Sequence, residues 1–470
     1  MSMFDFGYDD LEDSDENFSV QDLVHAYEQG GAGTYFDSDA LEEIATFYFE
    51  LGRFGDALGA IDRILETQPY SSDAWMRRGI LLNNMNRHAD AMTAYEKAMT
   101  LNPSDPETII NMGITLDSLG RTEEALKSYQ TALEIDPLNE DALFNRGVTL
   151  ERADLLEQAI EAFYACVELN PEHPEVWYEL GYCFDRLAED EKSLSCYDRH
   201  IEIDPYSYDA WYNRGIVLNR MNRFAEAVQS YDMALVINEE FASAYYNKGN
   251  AQANVGDLRG AIESYEQVIK LEDGDAATFY NIALAYEELQ EYPQAIACFE
   301  KALLKDPQYA EAWYGLGCCF DAQERFFEAL EFYQKAVHLT PRSADLWYAK
   351  ADCEYNAGLI DESLESYETV VRMEPANREA WLDYAETLFE AQRLEEALHA
   401  YNNALTLEPN HASSYFQQAK ALFALGRPDE SIRSLKRAFS LDPKKKEEFR
   451  QTYPELYRDA RIRRELGLDS

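Results

Sequence analysis

The chain predicts an all-α array of helical hairpins. Three observations carry this: tryptophans spaced at multiples of 34 residues, two columns of small residues at fixed offsets within that spacing, and a proline near the end of most units. Trp75, Trp177, Trp211, Trp313, Trp347 and Trp381 all fall on the lattice. With each tryptophan at position 4, twelve 34-residue units begin at residues 38, 72, 106, 140, 174, 208, 242, 276, 310, 344, 378 and 412. The last ends at 445, with no insertion or deletion. Such a period must be read before any count of globular domains.

Position 8 holds only glycine or alanine, as in Gly79, Gly147, Gly181 and Ala283. Position 20 is equally small, as in Ala91, Ala159 and Ser193. Small residues let two crossing helices approach closely. Position 24 is aromatic in ten units, and the rings are expected to fill wider gaps between hairpins. Position 32 is proline in ten units, from Pro69 to Pro443. Proline lacks a donor and clashes with the preceding turn, so it stops the second helix. Acids at position 2, such as Asp73, Glu107 and Asp141, suit the positive end of the next helix. Each unit is therefore helix–turn–helix, and one unit cannot bury its faces alone.

These columns resemble the tetratricopeptide repeat, across 408 of 470 residues. The resemblance implies a right-handed α/α superhelix of twelve hairpins, with a concave groove lined mainly by first helices.

The ends differ from the repeats. Residues 1–37 hold ten acids and no Lys or Arg, and read as an acidic, largely disordered segment. Within it Ser19 and Asp22 form a capping-box-like start to a short helix near 20–29, which the glycines from Gly30 end. Residues 446–470 read as a capping helix and basic tail. Phe449, Tyr453, Leu456 and Tyr457 recur at helical spacing, and Pro454 stands as a possible interruption. Eleven of the 41 basic residues lie between Arg433 and Arg464.

Charge narrows the partners. The 89 acids against 41 bases give a net charge of −48, which repels phosphate backbones and anionic lipid heads. Protein or peptide partners are expected, with neither nucleic acid nor membrane among them. Residues 1–13 carry no Lys or Arg and no apolar run, unlike a secretory signal. Seven cysteines without a C-x-x-C pair argue against a disulfide framework and for a reducing cytoplasm.

No phosphate-binding glycine loop, zinc-protease motif or nucleophile elbow is present, so neither catalytic residues nor a cofactor is expected. One constellation offers an enzyme or metal alternative: Cys166, Cys183, Cys196 and His200 could hold zinc. Cys319, Cys353 and Cys298 recur at the same repeat positions, which favours small buried side chains and no metal.

Function then falls to the groove. Position 6 carries Asn111, Asn145, Asn213, Asn247 and Asn281, broken by Glu179. An amide gives and takes a hydrogen bond at once, so such a row suits a peptide backbone. It is similar to the asparagine ladder in the repeat domain of the O-linked N-acetylglucosamine transferase, whose catalytic domain has no counterpart here. Position 5 carries Tyr178, Tyr212, Tyr246 and Tyr280, continued by Tyr314 and Tyr348. Position 13 carries Arg152, Arg186 and Arg220, which would attract carboxylates of a ligand or of the acidic N-terminus, with Phe4, Phe6 and Tyr8 docking there. The competing reading pairs these arginines with acids such as Asp117, Glu151 and Asp185. The expected function is an adaptor or scaffold that binds an extended peptide or helix. The alternative is a self-assembling scaffold, with acidic repeats meeting the basic C-terminus of another copy.

Overall fold

The computed structural model describes residues 20–30 and 35–468, and among these it contains helices and no strand. It divides into two compact units, 1–223 and 224–470.

In the first unit α1 (Val20–Gly30) precedes five hairpins: α2/α3 (Ser38–Glu50, Phe54–Thr67), α4/α5 (Ser72–Asn84, His88–Leu101), α6/α7 (Pro106–Ser118, Thr122–Ile135), α8/α9 (Glu140–Arg152, Leu156–Leu169) and α10/α11 (Pro174–Arg186, Asp190–Ile203). Helix α12 (Tyr208–Arg220) follows. The second unit opens with α13 (Phe224–Ile237). Its hairpins are α14/α15 (Ala242–Asn254, Leu258–Glu272), α16/α17 (Ala276–Glu288, Tyr292–Lys305), α18/α19 (Ala310–Asp321, Phe326–Leu339), α20/α21 (Ala344–Asn356, Ile360–Met373), α22/α23 (Arg378–Glu390, Leu394–Leu407) and α24/α25 (Ala412–Ala424, Pro428–Leu441). Three short helices close it: α26 (Lys445–Thr452), α27 (Pro454–Arg458) and α28 (Ala460–Leu466).

The helices start where the sequence supplies an acceptor. Position 34 caps the next first helix: Ser71, Asp105, Asn139, Ser207 and Asn377 each accept from the backbone N–H three residues on. Between the helices of a hairpin one residue takes a positive φ, as at Gly120 and Gly256. Asn86, Asp154 and Ala188 do the same without glycine's freedom.

Packing within a hairpin explains the columns. A Cβ added at Gly147 would lie 2.4 Å from Phe163 Cε1, and one at Gly79 would lie 2.3 Å from Tyr95 Cε1. The position-8 glycine is thus the floor on which the position-24 ring lies. This corrects the expectation that those rings fill gaps between hairpins: each packs first inside its own. Ala91, Ala125 and Ala159 at position 20 are fully buried beside them.

Tryptophan does the joining. All six donate Nε1–H to the carbonyl of the position-32 proline in the preceding unit, for example Trp75 to Pro69 at 3.0 Å and Trp177 to Pro171 at 2.9 Å. The spacing visible in the sequence therefore marks the bond that fixes one hairpin's turn to the next.

Both ends are sealed. Helix α1 lays Tyr27 against Phe36 and Tyr48, while Glu28 meets Arg53 at 3.2 Å. The C-terminal cap is three short helices rather than one. Pro454 begins α27 and Asp459 caps α28, which breaks the run in two places. Phe449 is fully buried and packs on Phe439, Tyr453 and Tyr457. The basic residues there pair locally: Lys445 with Glu448, Arg450 with Glu447, Arg461 with Glu465. No helix among the described residues is long and apolar enough to cross a membrane.

Candidate functional site

First helices of successive hairpins touch one another, as α4 with α6, α6 with α8, α8 with α10, α16 with α18 and α22 with α24. Their open faces carry positions 5, 6, 9, 12 and 13 of each unit, and most of the expected site residues lie there.

The asparagines behave in two ways. Asn111 and Asn145 turn Nδ2 back onto their own helices, to the carbonyls of Glu107 at 3.0 Å and Asp141 at 2.7 Å. Asn213 donates instead to the hydroxyl of Tyr178 at 2.9 Å, and Asn281 to that of Tyr246 at 3.1 Å. A position-5 tyrosine is thus held by the position-6 amide of the next unit. The same register recurs with an acid at position 6, where Tyr348 donates to Asp383. In each pair the amide spends its N–H and keeps Oδ1 as an acceptor. Tyr212 and Asn247 also lie in helical first-helix positions and are half-buried. Tyr280 packs on Phe299 and Tyr309, and Tyr314 on Tyr333.

The arginines follow the competing reading. Arg152 pairs with Asp117 at 2.8 Å, Arg186 with Asp154 at 2.8 Å, and Arg220 with Asp185 and Asp190 at 2.5 Å each. Each acid belongs to the preceding unit, so the stripe ties neighbouring hairpins together. The arginine side chains remain between 41% and 64% exposed, which leaves room for a second carboxylate. The docking of Phe4, Phe6 and Tyr8 on them lies outside the described residues.

Glu179, which interrupts the asparagine column, faces Glu151 of the preceding unit. Burial, the Glu151 charge and a carboxyl–carboxyl hydrogen bond push its pKa up to about 8, against the opposing pull of Arg152. Burial raises that of Glu151 as well. Glu151 Oε2 is buried with no hydrogen-bond partner, and a proton carried by Glu179 would supply one. A protonated carboxyl is donor and acceptor together, like an amide, so Glu179 continues the hydrogen-bonding character of the column near neutral pH.

No three His, Cys, Asp or Glu side chains come together to hold a metal among the described residues. Cys166, Cys183 and Cys196 are buried, and burial pushes each thiol up to about 12. His200 turns Nδ1 to the Pro174 carbonyl at 2.6 Å.

Sequence reasoning missed position 9. It runs Thr46, Ile80, Ile114, Val148, Tyr182 and Ile216 in the first unit, then Asn250, Leu284, Cys318, Asp352, Glu386 and Lys420 in the second. The change from apolar to polar was visible in the register, but nothing in it showed which way those side chains face. Asn250 accepts from Tyr265 at 2.8 Å and from Asn281 at 3.4 Å, which joins it to the tyrosine–amide network.

Comparison with family models returns tetratricopeptide repeats throughout: residues 43–106, 280–344 and 348–415 on one model, with 116–153, 140–173, 208–241, 242–275 and 388–452 on others. A protein prenyltransferase alpha subunit repeat also matches residues 190–221. The matches together span most of the chain, which belongs to the tetratricopeptide repeat family. That places it among protein-interaction scaffolds, a class whose fold is typically non-catalytic. Comparison with curated proteins gives no match. Among solved structures it is similar to MamA, at 24% identity and TM-score 0.35, covering 36% of this chain and 92% of that one. YrrB, a TPR protein with an unusual peptide-binding site, aligns at 23% identity and TM-score 0.36, covering 39% and 95%. Pseudomonas aeruginosa pilF aligns at 18% identity and TM-score 0.39, covering 47% and 96%.

Proposed function

We propose that the protein is a cytoplasmic adaptor whose first-helix faces form a groove for an extended segment of a partner protein. One observation carries the reading. Asn213 and Asn281 are each fixed by a tyrosine hydroxyl and keep a side-chain carbonyl unspent on the open face. On the first-helix face of each unit such an oriented acceptor suits a backbone N–H, whatever the side chain beside it. The tyrosine rings beside them supply apolar area with a polar tip. The arginine stripe adds sites for a carboxylate, since each guanidinium has more donors than one acid uses. The seven free thiols suit a reducing compartment.

The test is affinity capture from lysate of the source cells, with mass spectrometry. The natural protein is compared with Asn213→Ala/Asn281→Ala and with Phe327→Ser. Phe327 is 67% exposed on the second helix of its hairpin. A partner lost with the double asparagine variant and kept with Phe327→Ser, at unchanged melting temperature, is the expected result. Retention by the asparagine variant would move binding off the first-helix face.

A further inference from the structure

A cleft of about 280 Å³ opens on the first-helix face of the second unit, between α14, α15 and α16. Four of its nine lining residues are aliphatic, Ala253, Leu258, Leu284 and Ala285, and Asn254 and Glu288 line it beside them. Leu284 is 39% exposed, a large apolar side chain that no other part of the unit covers. An apolar cavity of about 150 Å³ is enough to hold a benzene-sized group.

The rim is polar and held in one arrangement. Asn250 Oδ1 is taken by Tyr265 and Asn281, which leaves its Nδ2 donors. Asn281 Nδ2 is taken by Tyr246 and Asn250, which leaves its Oδ1 acceptor. One donor and one acceptor beside an apolar cleft match the C=O and N–H that flank a side chain on an extended backbone. Two acids stand next in line. Glu287 and Glu288 follow Leu284 by three and four residues, so they share its side of the helix. Neither has a Lys or Arg ion pair among the described residues. In a chain of net charge −48 that end of the cleft favours a cation.

We propose that this cleft anchors one aliphatic or aromatic side chain of the bound segment, with a lysine or arginine one or two residues away that meets Glu287 and Glu288. The proposal rests on the groove reading and adds to it the chemistry of the ligand. Burial at Glu287, which raises its carboxyl pKa, is relieved when such a cation arrives.

The test is selection of a random displayed peptide library on the full-length protein, followed by binding measurements of the enriched peptides on three variants. Leu284 and Glu288 are exposed, so Leu284→Ser and Glu288→Lys should keep the fold, which melting curves check. Enriched peptides are expected to pair an apolar residue with a nearby Lys or Arg, and to lose about tenfold or more in affinity on Leu284→Ser. Glu288→Lys should weaken them and favour versions with the basic residue changed to Glu. Peptides lost on Asn213→Ala but unaffected by both cleft variants would overturn the anchor while leaving the groove reading intact. Peptides unaffected by any of the three, or no enrichment, would count against both.

Discussion

Glu179→Gln should stabilise the protein at pH 8 and leave it unchanged at pH 5. Burial beside Glu151 pushes the Glu179 carboxyl up to about 8 in the folded chain, against 4.5 for an unperturbed glutamate. A carboxyl raised on folding gives its full stability below the unfolded value, and loses it as pH rises through the folded value. The window is therefore about pH 4.5 to 8. Each pKa unit corresponds to about 1.4 kcal/mol, so complete burial would cost about 4–5 kcal/mol at alkaline pH. Partial exposure and the nearby Arg152 and Arg186 screen the charge, so about 1–3 kcal/mol is expected. Glutamine has nearly the same shape, and its N–H can donate to Glu151 as the carboxyl proton does. In a repeat array a local gain stays near its own interfaces. The assay is amide hydrogen exchange of α8 and α10 at both pH values, with denaturant melting alongside. Equal effects at pH 5 and pH 8, or slower exchange only at pH 5, would refute the shared-proton account.

Tyr197 Oη is buried without a partner, so Tyr197→Phe should gain about 1 kcal/mol, whereas Tyr265→Phe should lose about as much because it removes the nearer of the two donors to Asn250 Oδ1. Urea melts of the two variants decide this. Gly147→Ala should destabilise by about 2 kcal/mol, since its Cβ overlaps Phe163, and Phe163→Leu in the same chain should recover part of the loss. Ala188 holds a φ of 56°, so Ala188→Gly should raise stability by about 0.5 kcal/mol, the strain removed exceeding the entropy glycine adds. A loss of stability in thermal melts would show that the turn favours alanine.

The tryptophan lattice and the small columns gave the hairpins because they record backbone necessities. Gly147 must be small beneath Phe163, and Trp75 must reach the Pro69 carbonyl. The N-cap column at position 34 passed unread because Ser, Asp, Asn and His share neither size nor charge, only an acceptor in reach of the same N–H. The site was legible as columns and not as contacts. The sequence placed Asn111 and Asn281 in one row, yet one folds back on its own helix and the other bridges to a tyrosine. The difference lies in the partner: position 5 of the preceding unit is Met76 before Asn111 and Tyr246 before Asn281. The hydroxyl decides whether the amide turns outward, and only a two-unit reading reveals it.

The carboxylates of the second unit extend that logic. Asp321, Asp352 and Asp383 are held by the hydroxyls of Tyr333, Tyr367 and Tyr348, and Glu386 by the amide of Gln417. Burial raises the pKa of all four. In the first unit the exposed Asp154 and the half-buried Asp190 are met by guanidinium groups from the next hairpin, which cancel their charge. Tyrosine orients a carboxylate without cancelling it, so the second unit keeps a row of oriented, incompletely solvated negative charge on its first-helix face. A partner's ammonium or guanidinium group arriving there replaces lost hydration, whereas on the first unit it must compete with an arginine already in place. Binding of a basic segment should therefore weaken with salt and, as pH falls, with protonation of these acids, which sets in above the ordinary carboxylate range, and both losses should be larger for the second unit's face than for the first's.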